Sequence, residues 1–67
     1  MTVIYSNYGY DLVLLSDNTM GISQEGKLLS RTGIRYTSTM TSFMLDFILY
    51  DYIEDERERE ELEGYFN

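Results

Sequence analysis

Acidic side chains are concentrated at the C-terminal end of this 67-residue chain. Residues 51–67 hold eight acids and two arginines, which supply −6 of the net charge of −7. Four of the acids fall near one face of a helix, each three or four residues from the next: Asp51, Glu54, Glu58 and Glu61. Their carboxylates would repeat every ~5–6 Å, whereas duplex DNA carries one charge per ~1.7 Å of axis. Such a row can imitate part of a row of phosphates, which predicts binding to a positively charged surface.

A solvated helix face is the plainer interpretation of the same carboxylates. Asp55 and Arg59 at i, i+4 would form an ion pair, as would Glu54 and Arg57 at i, i+3. Each pair is worth ~0.2–0.5 kcal/mol. Most of the acids have no such partner, and the helix dipole disfavours each exposed negative charge near the C-terminal end by ~0.3–1 kcal/mol. Stability alone therefore explains the segment poorly, which favours a binding role but leaves the solvated face open.

Residues that commonly carry catalysis or bind metals are scarce. The chain has no cysteine and no histidine, which removes thiolate metal sites, the commonest general base and the usual zinc ligand. Asp46 and Asp51 could in principle act as paired carboxylates, but no histidine or cysteine supports them. The glycines show no phosphate-loop spacing. We predict a protein that is not an enzyme and that uses no cofactor and no metal.

Seven tyrosines dominate the aromatic residues. Tyr5, Tyr8 and Tyr10 cluster around the first predicted turn, and Tyr50 and Tyr52 border the acidic segment. Tyrosine is enriched at protein interfaces, but ordinary core packing also accounts for such residues. Because side chains two residues apart point to different sides of a helix, we expect either Tyr50 or Tyr52 to be exposed beside the acids.

The first half of the chain has the pattern of an antiparallel meander of three or four short strands. The predicted strands are residues 2–6, 10–16, 19–23 and 27–31, separated by turn residues at 7–9, 17–18 and 25–26. In the third segment, Met20 and Ile22 alternate with smaller residues and should share one face. Gly33 is predicted to break the fourth strand. Residues 1–36 are therefore predicted to form a small sheet.

The second half predicts one long helix over residues 38–63. Thr37, Ser38 and Thr39 supply hydroxyls for an N-cap, and Gly64 lies where a C-terminal glycine cap belongs. A helix over about residues 39–63 is roughly 37 Å long at 1.5 Å per residue, about twice the ~17 Å of a short strand. We therefore predict a single α+β domain in which the apolar half of the helix lies on the sheet. The acidic half should project past the sheet or run along its edge.

Apolar residues wrap more than one face of this helix. Met40, Phe43, Met44 and Phe47 follow the spacing of one helical face, and we predict that they pack on the sheet. A homodimer seam or a hydrophobic target groove would use the same residues. A chain of this size buries only about 60% of the surface it exposes when unfolded, so self-association would add stability.

The segment Asp-Tyr-Ile-Glu-Asp-Glu-Arg-Glu-Arg-Glu-Glu-Leu-Glu at 51–63, with the small size and the net charge of −7, resembles the small acidic phage inhibitors of host defence. These include anti-CRISPR proteins and DNA-mimicking anti-restriction proteins. The resemblance implies a protein of the host-cell cytoplasm that occupies the basic nucleic-acid channel of a CRISPR effector or another defence nuclease. Direct binding to nucleic acid or to an anionic membrane is not expected, because both attract basic proteins.

The predicted partner-binding residues are the exposed acids of this segment and the two tyrosines beside them: Tyr50, Asp51, Tyr52, Glu54, Asp55, Glu58 and Glu61. Two alternatives stay open. One is a structural protein that forms a homodimer through the long helix. The other is an antitoxin-like protein that neutralises a basic toxin by the same electrostatic logic.

Overall fold

One antiparallel sheet precedes a single long helix. The computed structural model describes residues 1–66, with side chains up to residue 64. The elements are β1 (Thr2–Asn7), β2 (Tyr10–Leu14), β3 (Thr19–Gln24), β4 (Lys27–Arg35) and α1 (Ser42–Phe66). Strands adjacent in sequence are adjacent in the sheet, in the order β1-β2-β3-β4. This arrangement confirms the predicted α+β fold, with a meander followed by a C-terminal helix.

Each two-residue hairpin turn ends in a glycine, and the residue before that glycine also adopts positive φ. Tyr8 and Gly9 have φ of 58° and 80° between β1 and β2. Glu25 and Gly26 have φ of 53° and 79° between β3 and β4. Positive φ at both central residues is what a two-residue hairpin of type I′ requires. Asn18, with φ of 69°, turns the chain between β2 and β3, so the predicted turns are confirmed.

Strand β4 does not end at Gly33, so that prediction is wrong. Gly33 adopts a φ of 73° within a bulge, since the pairing with β3 shifts between Thr19 and Gly21. The hydroxyl of Thr32 secures the bulge by donating to the Met20 carbonyl at 2.8 Å and accepting from the Ile34 amide at 3.1 Å. A glycine in a strand therefore bends the edge here while pairing resumes beyond it.

Both predicted ends of the helix are corrected by the structure. The hydroxyl that caps the first turn belongs to Thr41, which accepts from the Met44 amide at 3.2 Å, and residues 37–39 lie before the helix. The Thr37 carbonyl instead accepts from the Met40 amide at 3.1 Å in a preceding turn. Gly64 lies inside α1 rather than after it. A glycine permits a left-handed cap but does not impose one.

The core lies between one face of the sheet and one stripe of α1. It is formed by buried residues of β2, β3 and α1: Leu12, Met20, Ile22, Leu45 and Leu49. Ile48 and Tyr52 are partly buried against it, and with Leu45 and Leu49 they complete an i, i+3, i+4, i+7 stripe. The prediction that Met20 and Ile22 share one face of the sheet is confirmed.

The helix face predicted to pack on the sheet is mostly the wrong one. Met40 does pack against the core, but it precedes the helix. Phe43 is 82% exposed, Phe47 66% and Met44 52%. The chain carries two apolar stripes with the same spacing, and the sheet covers the one that contains Leu45 and Leu49. The second stripe, which contains Phe43, Met44 and Phe47, remains on the surface.

Candidate functional site

The acidic half of α1 extends away from the sheet, as predicted. Over helical residues 42–64, whose side chains the structure describes, Ile53 is the last that packs against the core. The following residues, 54–64, form what we call the acidic arm, and residues 57–64 are exposed on every side. The molecule measures 43 Å along its longest axis but only 22 Å and 20 Å across. The arm therefore presents its carboxylates on a helix anchored at one end in the core.

Two arginines on the arm form three intrahelical ion pairs. Arg57 lies 3.9 Å from Glu54 and 3.5 Å from Glu61. This confirms the predicted pair between Glu54 and Arg57. Arg59 pairs with Glu56 at 3.5 Å and not with Asp55, so that second prediction is wrong. All three pairs are solvent-exposed, where such contacts are worth about 0–1 kcal/mol.

The remaining predicted acids lie on one flank of the helix. Asp51, Asp55 and Glu58 are exposed, and within residues 1–66 none of them forms an ion pair. Their i, i+4, i+7 spacing places them along one side of α1. Glu54 is half-buried and Glu61 is exposed, and these two share Arg57. Of the five acids predicted to bind a partner, three therefore form no ion pair within residues 1–66, and two are held by an arginine.

Tyr50 and Tyr52 face different sides, as predicted, and Tyr50 is the exposed one. Its side chain is 48% exposed, and its ring lies 5.9 Å from that of Tyr8. Tyr52 is partly buried and meets Tyr10 edge-on at 6.2 Å. Burial raises the pKa of the Tyr52 phenol. Of the two tyrosines, Tyr50 is the better placed to contact a partner.

Asp46 ties the helix to the first hairpin, a role that the sequence did not reveal. Its carboxylate accepts three hydrogen bonds: from the Tyr5 hydroxyl at 2.6 Å, from the side-chain amide of Asn7 at 2.8 Å and from the Tyr8 hydroxyl at 2.9 Å. These bonds, that of Tyr5 above all, lower the pKa of the Asp46 carboxyl. The same contact raises the pKa of the Tyr5 and Tyr8 phenols. The sequence signal was a charged residue inside the apolar stretch 43–53.

Asp46 and Asp51 do not form a carboxylate pair. Asp46 points to β1, whereas Asp51 borders a groove beside β4. Five residues on a helix correspond to about 500° of rotation, or about 140° between the two side chains. Within residues 1–66, no group of three or more acidic side chains is placed to hold a metal ion.

A groove separates α1 from β4 and was not predicted. We call it the β4 groove, and its volume is about 230 Å³. Four residues of the sheet and five of the helix line it: Ile22, Ser30, Thr32, Ile34, Phe47, Ile48, Asp51, Tyr52 and Asp55. It forms because α1 lies across β1 and β2 and leaves β4 beside it. Three of the predicted partner-binding residues, Asp51, Tyr52 and Asp55, therefore belong to a concave surface with an apolar floor.

Comparison with protein-family models, curated proteins and solved structures finds no match for this chain. Over residues 1–66, no helix combines the length and the apolar character needed to cross a membrane. The features that bear on function are therefore the geometry of the arm, the exposed apolar stripe and the groove.

Proposed function

We propose that this protein binds a basic nucleic-acid-binding surface of a partner protein and blocks it, as a non-enzymatic inhibitor of the anti-CRISPR or DNA-mimic kind. The observation that supports this best is the acidic arm, a helical segment whose residues 57–64 are exposed on every side. A helical scaffold holds these charges at a fixed spacing, which a disordered acidic tail would not do.

The mechanism is electrostatic. Asp51, Asp55 and Glu58 meet lysines and arginines of the partner that otherwise hold phosphates, and the net charge of −7 steers the two proteins together. Glu54 and Glu61 exchange the exposed Arg57 for arginines of the partner at little cost, because surface ion pairs are weak. Tyr50, half-exposed beside these acids, supplies an aromatic contact.

A displacement experiment tests this function. Proteins captured from a bacterial lysate by the immobilised wild type at low salt are first identified. Each is then loaded with a fluorescent oligonucleotide and titrated with this protein. We expect displacement that weakens steeply as salt is added.

Two triple variants with the same change in net charge separate a specific surface from bulk charge. Glu54, Glu58 and Glu61 are replaced by Gln in the test variant, called the arm variant. Glu56, Glu60 and Glu63 are replaced by Gln in the control. Each triple removes at least one ion pair of the helix. The arm variant should lose displacement while the control keeps most of it. Equal behaviour of the two triples, or a captured partner that keeps its oligonucleotide, contradicts the proposal.

A second candidate function, self-association, is favoured by the exposed aromatic stripe. Phe43 and Phe47 lie one helical turn apart, and both are largely solvent-exposed. Sedimentation velocity of the wild type and of Phe43→Ser distinguishes the candidates. A stable wild-type monomer rules out this function, and a dimer that Phe43→Ser dissociates supports it. An antitoxin-like function is recognised if the captured partner is a toxin that holds no nucleic acid.

A further inference from the structure

The β4 groove lies beside a free strand edge. β4 is the last strand of the sheet and pairs only with β3, so one side of its backbone has no strand partner within residues 1–66. An extended peptide can add to such an edge through backbone hydrogen bonds, with alternate side chains directed to each face. The side chains of such a peptide that lie on the helix-covered face of the sheet would enter the groove.

The walls of the groove suit an extended segment. On the sheet side, the bulge at Gly33 shortens β4: Ser30 and Arg35 pair with Ile22 and Thr19, which lie about 10 Å apart at ~3.3 Å per residue. On the helix side, Phe47 to Asp55 span about 12 Å at 1.5 Å per residue. The two walls are thus of nearly equal length. A volume of about 230 Å³ is below the ~300–1,000 Å³ of pockets for drug-sized ligands, so the groove suits a few side chains of an extended segment and not a drug-sized molecule.

The chemistry of the walls specifies the occupant. Phe47 and Ile34 offer exposed apolar surface, one on each side of the groove, and Asp51 and Asp55 border the helix side. These two carboxylates lie one helical turn apart, about 6 Å. Alternate side chains of a strand are spaced at nearly the same interval, about 6.6 Å.

We propose that the β4 groove binds an extended, basic segment of the partner protein, which pairs with the edge of β4. An apolar side chain of this segment enters between Ile34 and Phe47. Two cationic side chains, at alternate positions, pair with Asp51 and Asp55. This proposal deepens the proposed function and depends on it for the basic character of the partner, but it assigns recognition to the groove as well as to the arm.

A second copy of this chain is a poor occupant. Pairing of β4 with its own copy would bring Asp51 and Asp55 of both copies to one interface. Each copy also carries a net charge of −7. Like charges juxtaposed across an interface oppose association. A basic segment instead neutralises these groups.

A synthetic heptapeptide tests the inference by fluorescence anisotropy. The probe, Thr-Leu-Thr-Arg-Thr-Arg-Thr with a fluorescent label, places leucine and both arginines on one face of a strand. We expect saturable binding to the wild type. We expect no binding of the same peptide with glutamate in place of arginine, and none when prolines at its third and fifth positions prevent strand pairing.

Two matched variants locate the binding site. Ile34→Lys places a cation in the groove, whereas Leu29→Lys makes the same charge change on the same strand outside it. Ile34 and Leu29 are 40% and 41% exposed. Affinity should fall by roughly tenfold or more for Ile34→Lys and only slightly for Leu29→Lys. Circular dichroism checks folding. If Ile34→Lys does not fold, Phe47→Ser takes its place, because Phe47 is 66% exposed.

The outcomes separate this inference from the proposed function. Peptide binding that Ile34→Lys and Leu29→Lys weaken equally, or no binding to the wild type, overturns the groove proposal while leaving displacement by the arm intact. A wild-type dimer that Ile34→Lys dissociates assigns the groove to a second copy and also overturns it. If the arm variant keeps peptide binding but loses oligonucleotide displacement, the two surfaces act separately and the groove proposal stands.

Discussion

Asp46 shows how one charged residue sets the orientation of the whole helix. A carboxylate that accepts three hydrogen bonds from the first hairpin can do so only when its side of α1 faces β1. That rotation directs Leu45 and Leu49 to the core and leaves Phe43 and Phe47 in solvent. Residues that sequence reasoning treats as candidates for catalysis can therefore serve to position an element.

The hydrogen bonds that Tyr5 and Tyr8 donate to Asp46 predict a loss of stability both in acid and in alkali. The lowered pKa of Asp46 means that its contribution is complete above the ordinary pKa of ~3.9 and disappears as the pH falls through the lowered value. The raised pKa of Tyr5 and Tyr8 means that their contribution is complete below the ordinary tyrosine pKa of ~10 and disappears as the pH rises through the raised values.

Urea unfolding of the wild type and of Asp46→Asn across this pH range tests the prediction. We expect the variant to be less stable at neutral pH, and the difference between the two proteins to shrink below about pH 4 and above about pH 10. Asp51→Asn is the control, because Asp51 is exposed and forms no ion pair within residues 1–66. A difference that stays constant from acid to alkali would contradict this assignment.

At the scale of elements, local signals predicted the strands and turns, but periodicity did not identify the buried side of the helix. The turn at Glu25-Gly26 follows from a glycine, which adopts positive φ without steric cost. The stripe that begins at Phe43 and the one that begins at Leu45 have similar spacing, and only tertiary contacts with the sheet and Asp46 distinguish them. The β4 groove was unpredictable for a related reason, since it depends on where α1 crosses the sheet.

Truncation of one residue from each stripe measures which one supports the fold. Leu49 is fully buried, so Leu49→Ala should lower the free energy of unfolding by ~2–5 kcal/mol through lost burial and a residual cavity. Phe47 is 66% exposed, so Phe47→Ala should change it by no more than ~0.5 kcal/mol. Urea denaturation gives both values. Similar losses in the two variants would mean that the second stripe is also buried in solution.

In the whole molecule, the residues that stabilise the fold and the residues that carry most of the net charge lie in different regions. A small core between the sheet and the first half of α1 holds the fold, and the arm carries most of the net charge away from it. Repulsion within the arm therefore acts mainly on the arm's own helix, where acids also face the unfavourable end of the helix dipole. The features that make the arm a poor helix are the ones on which the proposed binding to a basic surface depends.

Salt should therefore act in opposite directions on folding and on binding. From about 10 mM to about 500 mM NaCl, screening shortens the Debye length from about 30 Å to less than about 10 Å. Repulsion between the arm's carboxylates then weakens, and we expect helicity measured by circular dichroism to rise. The arm variant, with three acids neutralised, should show a smaller rise. Oligonucleotide displacement should weaken over the same range. Helicity that falls with salt would mean that the three exposed ion pairs of Arg57 and Arg59 outweigh the repulsion, and that the arm is not built for binding at the expense of stability.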